Sequence, residues 1–295
     1  MAVINIGSLN LDYVYGVDHI ILPGETEATE SRQVFLGGKG INQSIALAKA
    51  GAEVWHGGLI GRGGQPFLDV CREYDVHADF IRQVDAPDGH TIIQIDKHAQ
   101  NSILLYGGTN QMLTEEFVDE ILAHFSAEDI LLLQNEVNLL PYLVDRAWEK
   151  GMTVALNPSP FNEKLDAVDL NKIGLFLLNE VEGCQLTGAE DPEEILDRLQ
   201  RRYPQARFVL TLGKAGAIYA GEGRRLYQAA FPVRAVDTTA AGDTFTGYFL
   251  AGLLEKLPME QVLARSAKAA AIAVTRPGAV PSIPHREEVL AAMAE

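Results

Sequence analysis

The sequence predicts an α/β fold in which a mostly parallel central sheet carries helices on both faces. Short apolar runs alternate along the chain with segments of helical spacing, and this alternation is typical of a parallel sheet. No Pro/Ser-rich linker, low-complexity run or internal repeat divides the 295 residues, so a single domain over 1–295 is the simplest organisation. The predicted strands include 130–133, 153–156, 175–178 and 208–211.

Two stretches depart from this alternation, approximately 12–36 and 91–108. Within the second stretch, residues 91–96 and 101–106 alternate in polarity and are typical of the two strands of a hairpin. We expect these stretches to form a small sheet apart from the central one. Its apolar residues would face water unless another surface covered them.

The composition argues against two classes of partner. A formal net charge of −16 is unsuited to nucleic acid or an anionic membrane, because both bind basic surfaces. No apolar stretch reaches the roughly 18 residues of a membrane span, and no basic region followed by an apolar run opens the chain. Cys71 and Cys184 show neither metal-ligand spacing nor a disulfide framework. We therefore expect a cytoplasmic protein.

The segment 236–247 places one carboxylate, Asp243, at the start of an apolar helix. The small residues Ala240, Ala241 and Gly242 leave the backbone before it uncovered. Unpaired amides at a helix start can point at a phosphate, and an anion-handling enzyme would place a base there. The alternative is that Asp243 caps the helix and satisfies those amides itself.

Three other segments place polar groups at predicted strand ends. The glycine-rich run 37–43 leads into a helix, the polar run 7–12 follows the first strand, and 179–182 follows the strand 175–178. Polar groups at strand ends are what an open α/β sheet offers a ligand. Lys39 lies among glycines as in a P-loop, but Gly40 stands where that motif needs Ser or Thr, so a P-loop is rejected.

Taken together and in this order, these motifs resemble the PfkB, or ribokinase, family of carbohydrate kinases from the first strand to residue 288. The resemblance implies transfer of a phosphoryl group from ATP to a sugar hydroxyl. It makes Asp243 the catalytic base and the amides of Ala240, Ala241, Gly242 and Asp243 the anion hole. It also implies that 12–36 and 91–108 form a lid over the sugar, and that lids of two copies pair in a homodimer.

The sugar site is predicted from carboxylates and amides that hydrogen-bond neighbouring hydroxyls. Asn10 and Asp12 are two residues apart on an extended segment and can face the same side, although both residues are also frequent turn formers. Glu136 follows an apolar run, where an exposed loop acid is the alternative. By resemblance, the substrate-binding residues are Asn10, Asp12, Gly38, Lys39, Asn42, Glu136 and Asp243.

The nucleotide and Mg²⁺ assignments also follow from the resemblance. Glu182 matches the acid that organises hydrated Mg²⁺, although a helix capping box with Asn179 is an alternative that can hold at the same time. The loop 211–216 matches the ATP loop of the family, and an ordinary hairpin turn is its alternative. The predicted ATP contacts are Asn179, Thr211, Gly213, Gly216, Gly242 and Ser266.

The segment 273–282 resembles the potassium loop of the family, which provides mostly carbonyl oxygens beside the anion hole. A turn forced by Pro277 and Gly278 is the alternative. The predicted K⁺ ligands are Asp237, Thr239, Ala273, Arg276, Gly278 and Ser282. The repulsion between an acidic protein and ATP would be offset by the helix amides, a divalent metal and cations such as Lys39.

Within the family, the motifs at 7–12, 23–26 and 37–40 favour D-ribose, phosphorylated at its primary hydroxyl. Phe35 and Leu36 replace the proline usual before Gly37, and Gln65 stands where an acid is common. 2-Deoxyribose, another pentose or a nucleoside, pseudouridine included, therefore remain alternatives. A non-catalytic sugar sensor is a further one, but a damaged Asp243 or anion hole would be its mark and both are intact.

Overall fold

The computed structural model describes residues 1–98 and 100–294. The strands are β1 (Val3–Ile6), β2 (Asn10–Gly16), β3 (Ser31–Gly37), β4 (Val54–Ile60), β5 (His77–Gln83), β6 (Gly89–Ile95), β7 (Asn101–Tyr106), β8 (Ile130–Gln134), β9 (Thr153–Asn157), β10 (Leu175–Asn179), β11 (Arg207–Thr211), β12 (Gly216–Gly221) and β13 (Arg224–Ala229). The α-helices are α1 (Lys39–Lys49), α2 (Gln65–Glu73), α3 (Glu115–Leu122), α4 (Leu140–Glu149), α5 (Glu180–Thr187), α6 (Pro192–Arg202), α7 (Ala241–Leu254), α8 (Met259–Ala273) and α9 (Arg286–Ala294).

Nine strands form the central sheet, in the order β13-β12-β11-β10-β9-β8-β1-β4-β5. The pairs from β5 to β11 are parallel, and β12 and β13 add an antiparallel edge. The predicted mostly parallel sheet is therefore confirmed, with the four predicted strands as β8 to β11. β8 shows why the prediction worked, since a strand that is buried on both faces is apolar along its length.

Helices cover both faces of this sheet, as predicted. One buried apolar cluster joins the sheet to α1, α2, α7, α8 and α9, and a second joins it to α3, α4 and α6. Successive residues of β1 alternate between the two, since Val3 packs in the first cluster and Ile4 in the second. Among the described residues, no helix is both long enough and apolar enough to cross a bilayer.

Four strands form the predicted second sheet, in the order β3-β2-β6-β7. β6 and β7 pair antiparallel, which confirms the hairpin, and β2 pairs parallel with β6. Apolar side chains project from this sheet into solvent, with Leu104 68% and Ile103 58% exposed. The other large exposed apolar residues of the sheet are Val34, Phe35, Ile92, Ile95, Leu105 and Tyr106.

The contact between α1 and α7 positions the candidate site. A Cβ added at Gly247 would lie 2.4 Å from Cβ of Ala46 and 2.7 Å from the backbone nitrogen of Leu47. Only glycine allows so close an approach of the two helices. As a result, the first turn of α7 lies beside the first turn of α1.

Candidate active site

A cavity opens at the carboxyl ends of the parallel strands, between β9 to β11 and the first turns of α1 and α7. This is the edge at which open α/β sheets bind ligands. The predicted site residues that line it are Lys39, Asn179, Glu182, Thr211, Ala240, Ala241, Gly242 and Asp243. Asn157, Ser159 and Thr238 also line it and were not predicted.

Asp243 is 7% exposed and is the third residue of α7. Its Oδ1 accepts a hydrogen bond of 2.8 Å from Nε2 of Gln43, and its Oδ2 accepts one of 3.2 Å from Nδ2 of Asn42. Within residues 1–98 and 100–294, these side chains of α1 are its hydrogen-bond donors. The carboxylate therefore does not cap its own helix, and the capping alternative is wrong.

The first turn of α7 leaves backbone amides available. Ala240 precedes the helix with a left-handed φ of 57° and provides no side-chain cap. The N–H of Ala241 donates to the carbonyl of Thr238 at 3.3 Å, whereas those of Gly242 and Asp243 meet no acceptor in the described chain. A Cβ at Gly242 would find no heavy atom within 4 Å. The start of a 14-residue helix is thus open to an anion.

Lys39 brings a positive charge to the cavity, and Glu136 is bonded to the same turn. The backbone N–H of Lys39 donates to Oε2 of Glu136 at 2.9 Å, and the hydroxyl of Ser8 donates to the same oxygen. Burial works to lower the pKa of the Lys39 ammonium, but Asp243, Glu136 and Glu182 raise it above its ordinary value. Lys39 is therefore a cation at neutral pH, which offsets part of the repulsion expected for ATP.

Asn10 and Asp12 lie on β2, in the second sheet, and not among the residues that line the cavity. Oδ1 of Asn10 accepts 2.7 Å from Nδ2 of Asn110, and Oδ1 of Asp12 accepts 2.5 Å from the hydroxyl of Thr91. Burial raises the pKa of Asp12. Asn110 was missed because nothing in its own neighbourhood of the sequence connects it to residue 10.

Gly37 and Gly38 allow the backbone to approach these polar groups. A Cβ at Gly37 would lie 1.9 Å from Oδ2 of Asp12, and one at Gly38 would lie 2.8 Å from the carbonyl oxygen of Ser8. Gly38 also has a φ of 102°, which residues other than glycine rarely adopt. The glycine-rich run therefore places β2, the residue Ser8 and α1 in direct contact.

Glu182 faces the cavity and also caps α5. Its backbone N–H donates to Oδ1 of Asn179 at 2.9 Å, and its Oε2 accepts from the N–H of Asn179 at 3.0 Å. Glu182 therefore takes part in the capping box and lines the cavity at the same time, as the sequence allowed. In the described part of the chain, the compact group of three potential metal ligands is Asp18, His19 and Glu27, which lies outside the cavity.

The loop 211–216 joins β11 to β12 as a tight antiparallel connection, so the hairpin alternative describes its backbone. Gly213 has a φ of 51° and Gly216 one of 118°, and a Cβ at Gly216 would lie 2.0 Å from the carbonyl oxygen of Gln228. Thr211 still lines the cavity. Ser266 is fully buried and donates its hydroxyl to the carbonyl of Val262 at 2.7 Å, away from the cavity lining.

The two segments predicted to hold K⁺ meet at Asp237. Its Oδ1 accepts from the N–H of Thr239 at 2.9 Å and from the hydroxyl at 2.6 Å, and its Oδ2 accepts from the N–H of Gly278 at 2.8 Å. Burial works to raise the pKa of Asp237, but these hydrogen bonds lower it below its ordinary value. Arg276 is paired with Glu288, and Ser282 donates to the carbonyl of Ala279 at 2.7 Å. Ala273 ends α8 beside them.

Lys49 fastens the end of this loop to α1. Its Nζ donates to the carbonyls of Val280 and Ile283, at 3.2 and 2.9 Å, and lies 4.3 Å from the ring centroid of Tyr74. Burial lowers the pKa of this ammonium from 10.5 to about 8. From pH 8 to 10.5 the unfolded chain therefore holds a proton that the folded chain has lost, and folding becomes more favourable as pH rises.

We expect the free energy of unfolding of the native protein to rise relative to Lys49→Met by about 1–2 kcal/mol between pH 7.5 and 10, after allowance for solvent screening of the charge, because over this range the unfolded chain binds a proton that the folded chain has lost. Urea unfolding of both proteins across this range measures the difference. Titration of other groups is common to both proteins and cancels. A constant difference from pH 7.5 to 10 would show that the ammonium keeps its ordinary affinity for protons.

Comparison with known proteins places this site in a family. Residues 2–286 match the family model described as pfkB family carbohydrate kinase. The ribokinase of Haemophilus influenzae is 34% identical over 294 residues, which cover 97% of this chain and 96% of that protein. The crystal structure of ribokinase from Thermotoga maritima matches with a TM-score of 0.90 at 31% identity, over 100% of both chains. That of Arabidopsis thaliana ribokinase complexed with ribose and ATP matches with a TM-score of 0.87 at 28% identity, over 100% of both chains.

The fold and the relatives define an ATP-dependent phosphotransferase that acts on an alcohol group. The chain belongs to the pfkB family of carbohydrate kinases, as the sequence resemblance predicted. Ribokinases stand among its relatives over the full length of the chain.

Proposed function

We propose that the protein transfers the γ-phosphate of ATP to the primary hydroxyl of D-ribose and releases ribose 5-phosphate and ADP. The observation that carries this proposal is the position of Asp243, whose carboxylate is held from α1 at the open start of α7. A base and free backbone amides thereby lie in one cavity with Lys39 and Glu182. The ribokinases named above, one of them complexed with ribose and ATP, favour ribose over other sugars.

In the proposed reaction, Asp243 takes the proton of the ribose hydroxyl while the hydroxyl oxygen attacks the γ-phosphorus. The bond from this phosphorus to the β–γ bridging oxygen breaks, and ADP leaves with the electron pair. The amides of residues 240–243, with those of Gly242 and Asp243 the most available, bind the phosphate oxygens as charge develops. The ribose ligands are those that the sequence predicted, Asn10, Asp12, Gly38, Lys39, Asn42 and Glu136.

Two cations complete the proposal. Glu182 would hold hydrated Mg²⁺, which neutralises phosphate charge when bound, and one or two carboxylates are enough for a magnesium ion that keeps its waters. The segments that carry the predicted K⁺ ligands meet at Asp237, where the N–H of Gly278 donates to Oδ2 of Asp237, and this contact supports a single shared site. K⁺ held there by residues 237, 239, 273, 276, 278 and 282 would rigidify the segment that aims the amides of residues 240–243. The nucleotide would contact Asn179, Thr211, Gly213, Gly216, Gly242 and the helix around Ser266.

The kinase domain of this proposal comprises residues 1–295, with 12–36 and 91–108 as a lid over the sugar. The apolar side chains exposed on the second sheet support pairing with the lid of a second copy. The pairing would cover Ile103, Leu104 and their neighbours. A location in the cytoplasm, where ATP is supplied, completes the assignment.

We expect the protein to sediment as a dimer and Leu104→Asp to sediment as a monomer, because a carboxylate would be buried in the paired sheets. Analytical ultracentrifugation at micromolar concentration measures both. Leu290→Asp is the matched control, since Leu290 is 39% exposed on α9, a helix that packs against α8. A dimer that survives Leu104→Asp would place the interface elsewhere.

The assay that tests the function measures ADP release from ATP and Mg²⁺, with and without K⁺, for ribose, 2-deoxyribose, fructose and several nucleosides. Ribose turnover that K⁺ increases supports both the substrate and the cation loop. Preference for 2-deoxyribose or a nucleoside, including pseudouridine, would replace ribose in the proposal. An absence of turnover with every acceptor would favour a non-catalytic sugar sensor.

A further inference from the structure

A chain of buried side-chain amides lies directly beneath the carboxylate of Asp243. It consists of Gln43, Gln134 and Asn5, and all three side chains are fully buried. Nε2 of Gln134 donates to Oε1 of Gln43 at 2.7 Å and to Oδ1 of Asn5 at 3.1 Å. Nε2 of Gln43 donates in turn to Oδ1 of Asp243 at 2.8 Å.

The orientation of each amide in this chain is determined by a backbone carbonyl, which can accept a hydrogen bond but cannot donate one. Nδ2 of Asn5 donates to the backbone carbonyl of Gly40 at 2.7 Å and to the hydroxyl of Ser44 at 2.8 Å. The carbonyl has no proton to donate, so Asn5 must turn its amide nitrogen toward α1 and its oxygen toward Gln134. Gln134 must then present its nitrogen to Asn5 and to Gln43. The oxygen of Gln43 is thereby occupied, and its nitrogen faces Asp243.

A second backbone carbonyl, on the other side of Gln43, requires the same orientation of the Gln43 amide. Nδ2 of Asn157 donates to the backbone carbonyl of Leu177 at 3.0 Å, so its Oδ1 is left to accept from Nε2 of Gln43 at 3.2 Å. Both N–H groups of Gln43 are then used, one by Asp243 and one by Asn157. Turning this amide over would break its hydrogen bonds to Asp243, Asn157 and Gln134 in a buried site.

We propose that Gln43 is a positioning residue for the catalytic base, and that the amide chain of Asn5, Gln134 and Gln43 fixes the direction from which Asp243 meets the sugar hydroxyl. The inference rests on the proposed function, since it requires Asp243 to be the base. A hydrogen bond to a carboxylate is stronger than one between neutral groups. Loss of the 2.8 Å bond from Gln43 would leave the carboxylate with the longer 3.2 Å bond from Asn42, so its orientation would be less constrained. Gln43 acts through the carboxylate of Asp243 and does not itself take the proton.

The test compares steady-state kinetics of the native protein and Gln43→Leu with ATP and ribose. We expect kcat to fall about tenfold while KM for ATP changes less than about twofold, because a base that is displaced slows the chemical step alone. Tyr248→Phe is the control. It removes one hydrogen bond of a fully buried side chain of α7, that to the carbonyl of Pro284, without contact to Asp243, and its kcat should not change.

A double-mutant cycle separates positioning from general damage. If Gln43 acts through Asp243, then Gln43→Leu in an Asp243→Asn background should reduce the residual rate less than about twofold. Gln134→Leu leaves Asp243 untouched but frees Gln43 to turn, so it should lower kcat about threefold and show no further loss when combined with Gln43→Leu. Thermal unfolding shows which variants are folded, and Gln134→Leu carries the test if Gln43→Leu does not fold.

The outcomes distinguish this inference from the proposed function. A normal kcat for folded Gln43→Leu, or a full tenfold loss that persists in the Asp243→Asn background, would overturn the positioning role. Near-normal turnover by Asp243→Asn alone would instead overturn the assignment of the base. A loss that appears only when Asp243 is present supports the inference.

Discussion

Asp243→Asn will phosphorylate ribose about 10²–10⁴-fold more slowly than the native enzyme, because an amide cannot take the proton of the attacking hydroxyl. The substitution keeps the size of the side chain and an oxygen that can accept from Gln43, so the fold and ribose binding should survive. ADP release measures the rate, and isothermal titration calorimetry measures ribose binding. We therefore expect the decrease in kcat and not in the affinity for ribose.

Asp145→Asn is the matched control for this substitution. Asp145 lies on α4 and pairs with Lys172 at 2.7 Å, outside the residues that line the cavity. The substitution Asp145→Asn removes the same charge from a surface ion pair, where the effect on the free energy of unfolding is small. Turnover by Asp243→Asn within a few-fold of that of Asp145→Asn would remove Asp243 from the role of base.

Gly247→Ala will lower the free energy of unfolding by about 2–3 kcal/mol and kcat by at least about tenfold. The new methyl group would overlap Cβ and the backbone of Ala46, so α7 must move away from α1. That movement separates Asp243 from Asn42 and Gln43, which hold it from α1. Urea unfolding and ADP release measure the two effects.

Gly252→Ala separates this steric effect from helix propensity. Gly252 also lies inside α7, and both changes replace glycine by a better helix former. The three atoms nearest to a Cβ at Gly252 would all belong to the side chain of Val262, at 3.1 Å or more, and a shift of a few tenths of an ångström would accommodate it. If both variants unfolded at the same urea concentration, close approach of α1 and α7 would not be what requires glycine at 247.

The central fold could be predicted because its signals are local. β8 to β11 are buried on both faces, and the apolar runs that this burial demands are visible within four or five residues of sequence. The hairpin of β6 and β7 was visible for the same reason, through alternation along each strand. The predicted start of β6 was two residues late, since the strand begins at Gly89 in a turn-like context.

Many of the residues that line the cavity could be predicted from the sequence. What stayed open was whether each carboxylate faces a ligand or caps its own helix. Asp243 at a helix start fits both a cap and a base, and local spacing does not distinguish them. The tertiary structure decides because Gln43 and Asn42, about 200 residues earlier in the chain, take both carboxylate oxygens. Glu182 is the opposite case, since its capping partner Asn179 is three residues away and therefore visible in the sequence.

The residues that sequence reasoning missed are mainly neutral amides. Asn110, Gln134 and Asn157 carry no charge and belong to no local motif, and each becomes informative only through a partner 91 to 114 residues away. By itself the sequence determined the α/β architecture, the second sheet and the family, because periodicity and motif order are properties of neighbouring residues. Only the tertiary structure decided how Asp243 is held and which amides hold it, because hydrogen-bond direction depends on groups that meet only after the chain has folded.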